Sequence, residues 1–265
     1  YYHKWYRPDL QGIVIVGDID VDAVEAKLKT IFADVQKAVN PAERVYYPVA
    51  DNKEPIVAIG TDKEVDDPSI EVYFKQDATP DSEKNNVGYL ASQYMTSMIT
   101  SMLNARLSEL TQSANPPFTR AYSSYGNFFV AKTKEALNLS ASSKADGIEK
   151  ALKVLLQEAE RARRFGFTES EYARARANYL QRLESAYNER EKTKHGSYVR
   201  EYVRNFLDAE PIPGIETEYA MMNQLAPNLP VQAINMAIQQ LVPDSNQVVI
   251  IAGPEKEGLK YPQKE

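Results

Sequence analysis

The sequence FTRAYSSYG at residues 118–126 is followed, after a short connection, by EALNLSAS at residues 135–142. A break at Asn115-Pro116-Pro117 precedes it, which separates it from a long helical pattern. Two short runs of strand-forming residues joined in this way predict a β-hairpin, and therefore an antiparallel pair of strands.

On either side of this hairpin, four more runs rich in β-branched residues predict strands, and three long periodic stretches predict helices. The strands are expected at residues 11–17, 55–61, 70–76 and 247–253, and the long helices at 85–111, at 148–165 and from 172 to about 191. Asp20 is expected to cap a short helix after the first strand, Asp146 to cap the helix from 148, and Thr168 with Glu171 to form a capping box. Hairpins outnumber βαβ units in this order, so it predicts an α+β fold whose mostly antiparallel or mixed sheet carries its helices on one face. A doubly wound sheet is the alternative. We expect a linker at residues 1–10 and one domain at residues 11–265.

Composition excludes several classes of function. The chain has 265 residues and a net charge of -6, which argues against nucleic-acid binding because that binding depends on clustered Lys and Arg. It has no Cys, so thiol nucleophiles and Cys-ligated zinc are excluded. The apolar run from Ile13 to Val16 is far shorter than the ~20 residues of a membrane-spanning helix, so no membrane span is expected. The first residue is Tyr1 rather than Met, which favours a fragment of a longer protein.

Two sets of residues are candidate metal ligands, but neither set meets the requirements of a metal site. Asp18, Asp20 and Asp22 have the spacing of a calcium loop, but Lys29 stands where such a loop needs its final Glu, so capping by Asp20 is favoured. His3 and His195 are the only histidines, and neither has a second ligand at the usual spacing. The sequence therefore predicts no metal site and no catalytic residue in this chain.

Residues 161–204 carry a local charge of +5. This surplus is typical of a solvated helix face with Glu–Arg pairs, and it also fits a patch facing an acidic partner or peptide.

The opening sequence YYHKWYRPDLQGIVIVGDID (residues 1–20) resembles the junction in pitrilysin/insulinase-type zinc peptidases at which the metal-binding domain ends. In that family a Y-R-P-D stretch leads into a strand that closes on Gly-Asp-x-Asp. LNARLSEL at residues 103–110, NPPF at 115–118 and the terminal strand before Gly253-Pro254 resemble the family's second domain.

The resemblance implies homologous α+β domains that close like a clamshell around an unfolded peptide. Zinc is held in the family's first domain by an inverted H-x-x-E-H helix and a distal Glu, a motif absent here, so no metal ligand can be assigned in this chain. The chain is expected to be the second, non-catalytic domain of the zinc-bearing half, with zinc in the parent protein and the catalytic domain and a peptide substrate as partners. The alternative is a metal-free scaffold or binding protein that retains the fold. The resemblance favours the periplasm and leaves the cytoplasm open.

The same resemblance suggests two substrate-binding residues. The family's substrate-binding halves use an Arg near the end of this helix and a Tyr beyond it, which correspond here to Arg106 and to Tyr122 or Tyr125. Guanidinium and phenol groups can both donate hydrogen bonds to a peptide carbonyl. Under the structural alternative, Arg106 pairs with a nearby acid such as Glu109 while Tyr122 packs on the sheet.

Overall fold

The computed structural model describes residues 1–144, 146–257, 259 and 261–263, apart from the side chain of His3. Its chain divides into two compact units. One comprises Tyr1–Val45, Pro80–Asn85 and Leu183–Ala220, and the other Tyr46–Thr79, Asn86–Arg182 and Met221–Glu265. The expected linker at 1–10 and single domain at 11–265 remain predictions.

The second unit contains a five-stranded sheet in the order β1-β5-β2-β4-β3. Its strands are β1 (Ile56–Asp62), β2 (Ser69–Asp77), β3 (Arg120–Asn127), β4 (Lys134–Ser142) and β5 (Gln247–Pro254). β3 and β4 form the predicted antiparallel hairpin, and only the β1–β5 pair is parallel. The prediction of a mostly antiparallel sheet is therefore confirmed.

Strand alternation places the core on one face of this sheet. Ile70, Val72 and Phe74 of β2 are buried and lie beside Leu137 and Leu139 of β4. Helices from residues 87–111, 148–165 and 231–241 contact the sheet. Burying each of these large apolar side chains stabilises the fold by about 1.5–3 kcal/mol, so this shared face fixes the register of the strands.

The described residues form eight α-helices. They are α1 (Tyr2–Trp5), α2 (Val21–Ile31), α3 (Val87–Thr111), α4 (Ile148–Phe165), α5 (Glu169–Asn188), α6 (His195–Asp208), α7 (Ile215–Asn228) and α8 (Val231–Leu241). Asp20 caps α2 by accepting from the Ala23 amide at 3.0 Å, and Thr168 and Glu171 form the expected capping box. The prediction for Asp146 is wrong, because Gly147 is the N-cap of α4 and no side chain caps it.

The predicted strand at residues 11–17 is also wrong. These residues have no regular secondary structure, and Ile13 and Ile15 are about half exposed, at 57% and 48%. A β-branched run favours the extended backbone, but a strand also needs a neighbour to satisfy its N–H and C=O groups. No other described segment pairs with this run.

The first unit is helical and rich in polar contacts. Tyr187 and Tyr219 stack with ring centroids 4.4 Å apart. Lys84 donates to the Asp81 carboxylate at 2.8 Å and to the Asp208 carbonyl at 2.7 Å. The unit buries few large apolar side chains, which distinguishes it from the sheet-containing unit.

Candidate functional site

The face of the sheet opposite the core carries polar side chains, and we call it the polar face. It is defined by side chains from three adjacent strands: Glu71 and Tyr73 of β2, Tyr122 and Ser124 of β3, and Asn138 and Ser140 of β4. The register places Tyr73, Asn138 and Ser124 in one row and Glu71, Ser140 and Tyr122 in the next. Six groups that can form hydrogen bonds therefore share one continuous surface.

An aromatic cluster lies at one end of this face. The ring centroid of Tyr73 is 5.4 Å from that of Phe128 and 5.2 Å from that of Phe129, both in the connection between β3 and β4. Phe129 has a φ of 53°, a backbone conformation that is costly for an aromatic residue, and it is 56% exposed. The Phe129 ring therefore packs on Tyr73 with one side and is exposed to solvent on the other.

Within the polar face, one hydrogen bond joins two side chains, and one buried donor has no partner among the described residues. The Tyr73 hydroxyl donates to the Glu71 carboxylate, and burial together with this bond raises the pKa of Tyr73. The Asn138 side chain is buried, and its Nδ2 atom has no hydrogen-bond partner among the described residues. A buried amide without a partner costs about 1–3 kcal/mol, and because Nδ2 has almost no accessible surface, a ligand could reach it only after neighbouring side chains moved.

Two buried lysines lie beside the aromatic cluster. Lys75 Nζ donates to the Ala50 carbonyl at 2.7 Å, and burial lowers its pKa. Lys134 Nζ lies 2.6 Å from Asp51 and 2.5 Å from Asp77. Burial alone would lower the pKa of Lys134, but its bonds to the two carboxylates raise it above its usual value. Both lysines are therefore occupied by structural contacts.

The structure does not bring Arg106 and Tyr122 together. The Ser123 hydroxyl donates to the Thr100 carbonyl of α3 at 3.2 Å, so the Ser123 side chain faces the helices and its neighbour Tyr122 points to the polar face. Tyr122 is 47% exposed. Tyr125, the other candidate, lies on the core face and donates to Glu135 at 2.8 Å.

Arg106 is buried between helices instead. Its Nε atom lies 2.6 Å from Glu171 Oε1, and its Nη2 atom donates to Glu171 Oε2 and to the Gly166 carbonyl, each at 3.0 Å. Its partner is thus Glu171, 65 residues away, rather than Glu109. Peptide binding by Arg106 and Tyr122 remains a prediction.

The polar face was not identified from the sequence, although a signal for it is present. In SIEVYFKQ (residues 69–76), apolar and polar residues alternate, and period-two alternation predicts a strand with one polar face. The apolar residues of this segment predict the strand β2. Its polar residues indicate a second, polar face of the sheet, but they do not indicate what that face binds.

The described residues do not fit a resident metal. No group of three or more His, Asp or Glu side chains among them could hold an ion. Within the part of the chain that the structure describes, no helix is both long and apolar enough to cross a bilayer. The basic stretch at 161–204 is partly neutralised, for example by the Arg163–Asp244 and Arg190–Glu216 pairs.

The family is decided by a sequence comparison. Residues 1–179 match the family model described as the peptidase M16 inactive domain. The chain belongs to this M16 family. The predicted resemblance is confirmed, and the chain is an inactive M16 domain.

Relatives and solved structures agree with this assignment. The chain is 27% identical over 91% of its length to a "Zinc protease PQQL-like" protein of Arabidopsis thaliana and covers 22% of that protein. The structure of the periplasmic protease PqqL from Escherichia coli matches 95% of the chain with a TM-score of 0.79 and 21% identity, and the chain covers 27% of it. The separate structure of the first half of that protease matches with a TM-score of 0.77 and 20% identity over 95% of the chain, which covers 53% of it. The M16 domain thus spans about a quarter of the length of the curated relatives it matches.

Proposed function

We propose that this M16 domain is the non-catalytic, substrate-chamber domain of a larger zinc metalloendopeptidase, and that its polar face contacts the peptide. Zinc and the catalytic domain belong to the rest of the parent protein. The periplasm is the proposed compartment, in keeping with the periplasmic PqqL structure that the chain resembles.

The observation that carries this proposal is the chemistry of the polar face. An unfolded peptide presents carbonyl oxygens, amide hydrogens and side chains of varied polarity. The exposed phenol of Tyr122 and the exposed part of the Phe129 ring can bind such a chain with little dependence on its sequence.

The two predicted peptide ligands have different roles in this proposal. Tyr122 contacts peptide directly, because it is half exposed on the polar face. Arg106 is a structural residue that holds α3 to α5 through Glu171.

Kinetics of the parent protease test the proposal. Tyr122→Ala should raise KM for an unstructured peptide severalfold and leave kcat nearly unchanged, because it removes binding away from the reacting bond. Phe165→Ala is the matched control, since Phe165 is an exposed aromatic residue on α4, which packs on the opposite face of the sheet. An unchanged KM in Tyr122→Ala, or equal effects of the two substitutions, would refute peptide binding by the polar face.

Metal analysis separates this proposal from the scaffold alternative. Stoichiometric zinc and chelator-sensitive hydrolysis in the parent protein, with neither in the 265-residue chain alone, support a chamber domain. A parent protein with no zinc and no hydrolysis would indicate the metal-free scaffold. Hydrolysis by the 265-residue chain alone would contradict both.

A further inference from the structure

An open position interrupts the polar face beside the aromatic cluster. Gly126 of β3 follows Ser124 by two residues, so a side chain at position 126 would project from the same face of the sheet. The Cβ atom of such a side chain would meet no atom of the described residues within 4 Å. Gly126 therefore leaves an exposed notch in the polar face at a place where a side chain could stand.

Phe128 borders this notch without filling it. The Phe128 amide donates to the Lys134 carbonyl at 2.9 Å, so the strand pairing continues to residue 128 and the Phe128 side chain shares the face of Gly126. The Phe128 ring centroid lies 5.4 Å from the Tyr73 ring and 5.8 Å from Lys75 Nζ. Tyr73 and Lys75 belong to β2, and β4 separates β2 from β3, so the ring leans across β4 and leaves the space above Gly126 open.

The residues beside the notch favour an apolar occupant. Ala136 of β4 lies directly opposite Gly126 and is only 3% exposed, so it offers a methyl group beside the Phe128 ring. An apolar side chain in the notch would bury part of its surface against Phe128 and Ala136. A polar side chain would lose water there and gain no hydrogen bond from either group.

We propose that the notch at Gly126 binds one large apolar side chain, such as that of a phenylalanine or a leucine, from the peptide that lies on the polar face. The notch is then a specificity-determining subsite, and it makes the parent protease prefer unstructured peptides with an apolar residue at one position. This inference rests on the proposed function, because it names which peptides the polar face prefers.

The position of the notch supports a peptide as its occupant. Tyr122, Ser124 and Gly126 follow one another on the same face of β3, and both Ser124 and Gly126 are exposed. Four residues of a strand span about 13 Å, and an extended peptide spans the same distance in the same number of residues. A peptide that contacts Tyr122 and runs along β3 therefore reaches the notch four residues further on.

Peptide kinetics of the parent protease test the proposal. A single phenylalanine or serine is placed in turn at each position of an unstructured substrate, and at one position KM should be severalfold lower for the phenylalanine peptide. Gly126→Thr should bring this ratio close to one, because threonine fills the notch and is suited to a strand. Gly60→Thr is the matched control, since Gly60 is an exposed glycine of β1 with equally open space around it and lies outside the polar face. Both variants should keep the melting temperature of the native protein.

An unchanged KM ratio in Gly126→Thr, or the same change in Gly60→Thr, would overturn the proposal. Tyr122→Ala separates this result from the proposed function, because it should raise KM for both peptides by the same factor. If Tyr122→Ala does so while Gly126→Thr keeps the ratio, peptide binding by the polar face stands and the apolar subsite is wrong. Self-association of the parent protein that Gly126→Thr abolishes without changing the ratio would assign the notch to a second copy, and it would also overturn the proposal.

Discussion

Arg106 of α3 and Glu171 of α5 form a two-point ion pair, with Nε 2.6 Å from Oε1 and Nη2 3.0 Å from Oε2. The side chains are only 8% and 18% exposed. Glu171 also accepts from the Thr168 amide at 2.8 Å, so one carboxylate caps α5 and joins it to α3. This pair fixes the start of α5, whose Tyr172 lies in the core.

Arg106→Met should lower the free energy of unfolding by about 3–5 kcal/mol, because it leaves a buried carboxylate without its partner. Arg164→Met is the control, since Arg164 pairs with Glu160 on the surface and should contribute less than about 1 kcal/mol. Denaturant unfolding measures both values. The double variant Arg106→Met/Glu171→Gln should recover part of the loss, and an equal loss in Arg106→Met and Arg164→Met would contradict this account.

The same pair predicts a difference in acid stability. Burial alone would raise the pKa of Glu171, but hydrogen bonds from Arg106 and Thr168 lower it from 4.5 to about 2. A depressed carboxyl pKa stabilises the fold fully above the unfolded-state pKa, and this contribution is lost as the pH falls toward 2. The stability difference between the native chain and Glu171→Gln should therefore be constant near pH 7 and shrink between pH 4.5 and 2. A difference independent of pH across that range would show that the charge of Glu171 does not matter.

The contrast between Arg106 and the hairpin shows which features the sequence could predict. The hairpin and α4 depend on local periodicity, and both were predicted to within a few residues. The Arg106–Glu171 pair joins residues 65 positions apart, whereas the local pattern offered Glu109 at one helical turn. Residues 11–17 have strand propensity, but propensity alone does not provide the neighbouring strand that pairing requires.

Gly166→Ala should be strongly destabilising, by more than about 3 kcal/mol, because two costs add. Gly166 has φ 67° and ψ -157°, a conformation essentially restricted to glycine, and a Cβ atom there would collide with the side-chain amide of Asn235. Asn235 cannot move without losing its hydrogen bonds to the Phe167 backbone at 2.8 and 3.1 Å. Gly214→Ala isolates the conformational cost, since Gly214 has φ 75° and open space around its Cα, so it should cost only about 1–3 kcal/mol. Thermal unfolding of both variants measures the difference, and similar losses would mean that the collision is relieved at little cost.

Tyr172→Phe should destabilise the M16 domain more than Tyr94→Phe does, although the two hydroxyl groups contact each other at 3.1 Å in the core. The Tyr172 hydroxyl donates to the Leu229 carbonyl at 2.8 Å, and it therefore accepts from Tyr94. Removing the Tyr172 hydroxyl leaves both the Tyr94 hydroxyl and the Leu229 carbonyl without this partner, at a cost of about 1–3 kcal/mol for each buried group. Removing the Tyr94 hydroxyl takes away one donor and keeps the bond to Leu229, so we expect a loss of only about 0.5–1.5 kcal/mol. Denaturant unfolding of the two single variants and the double variant measures the order, and a larger loss in Tyr94→Phe would reverse the assigned direction of the hydrogen bond.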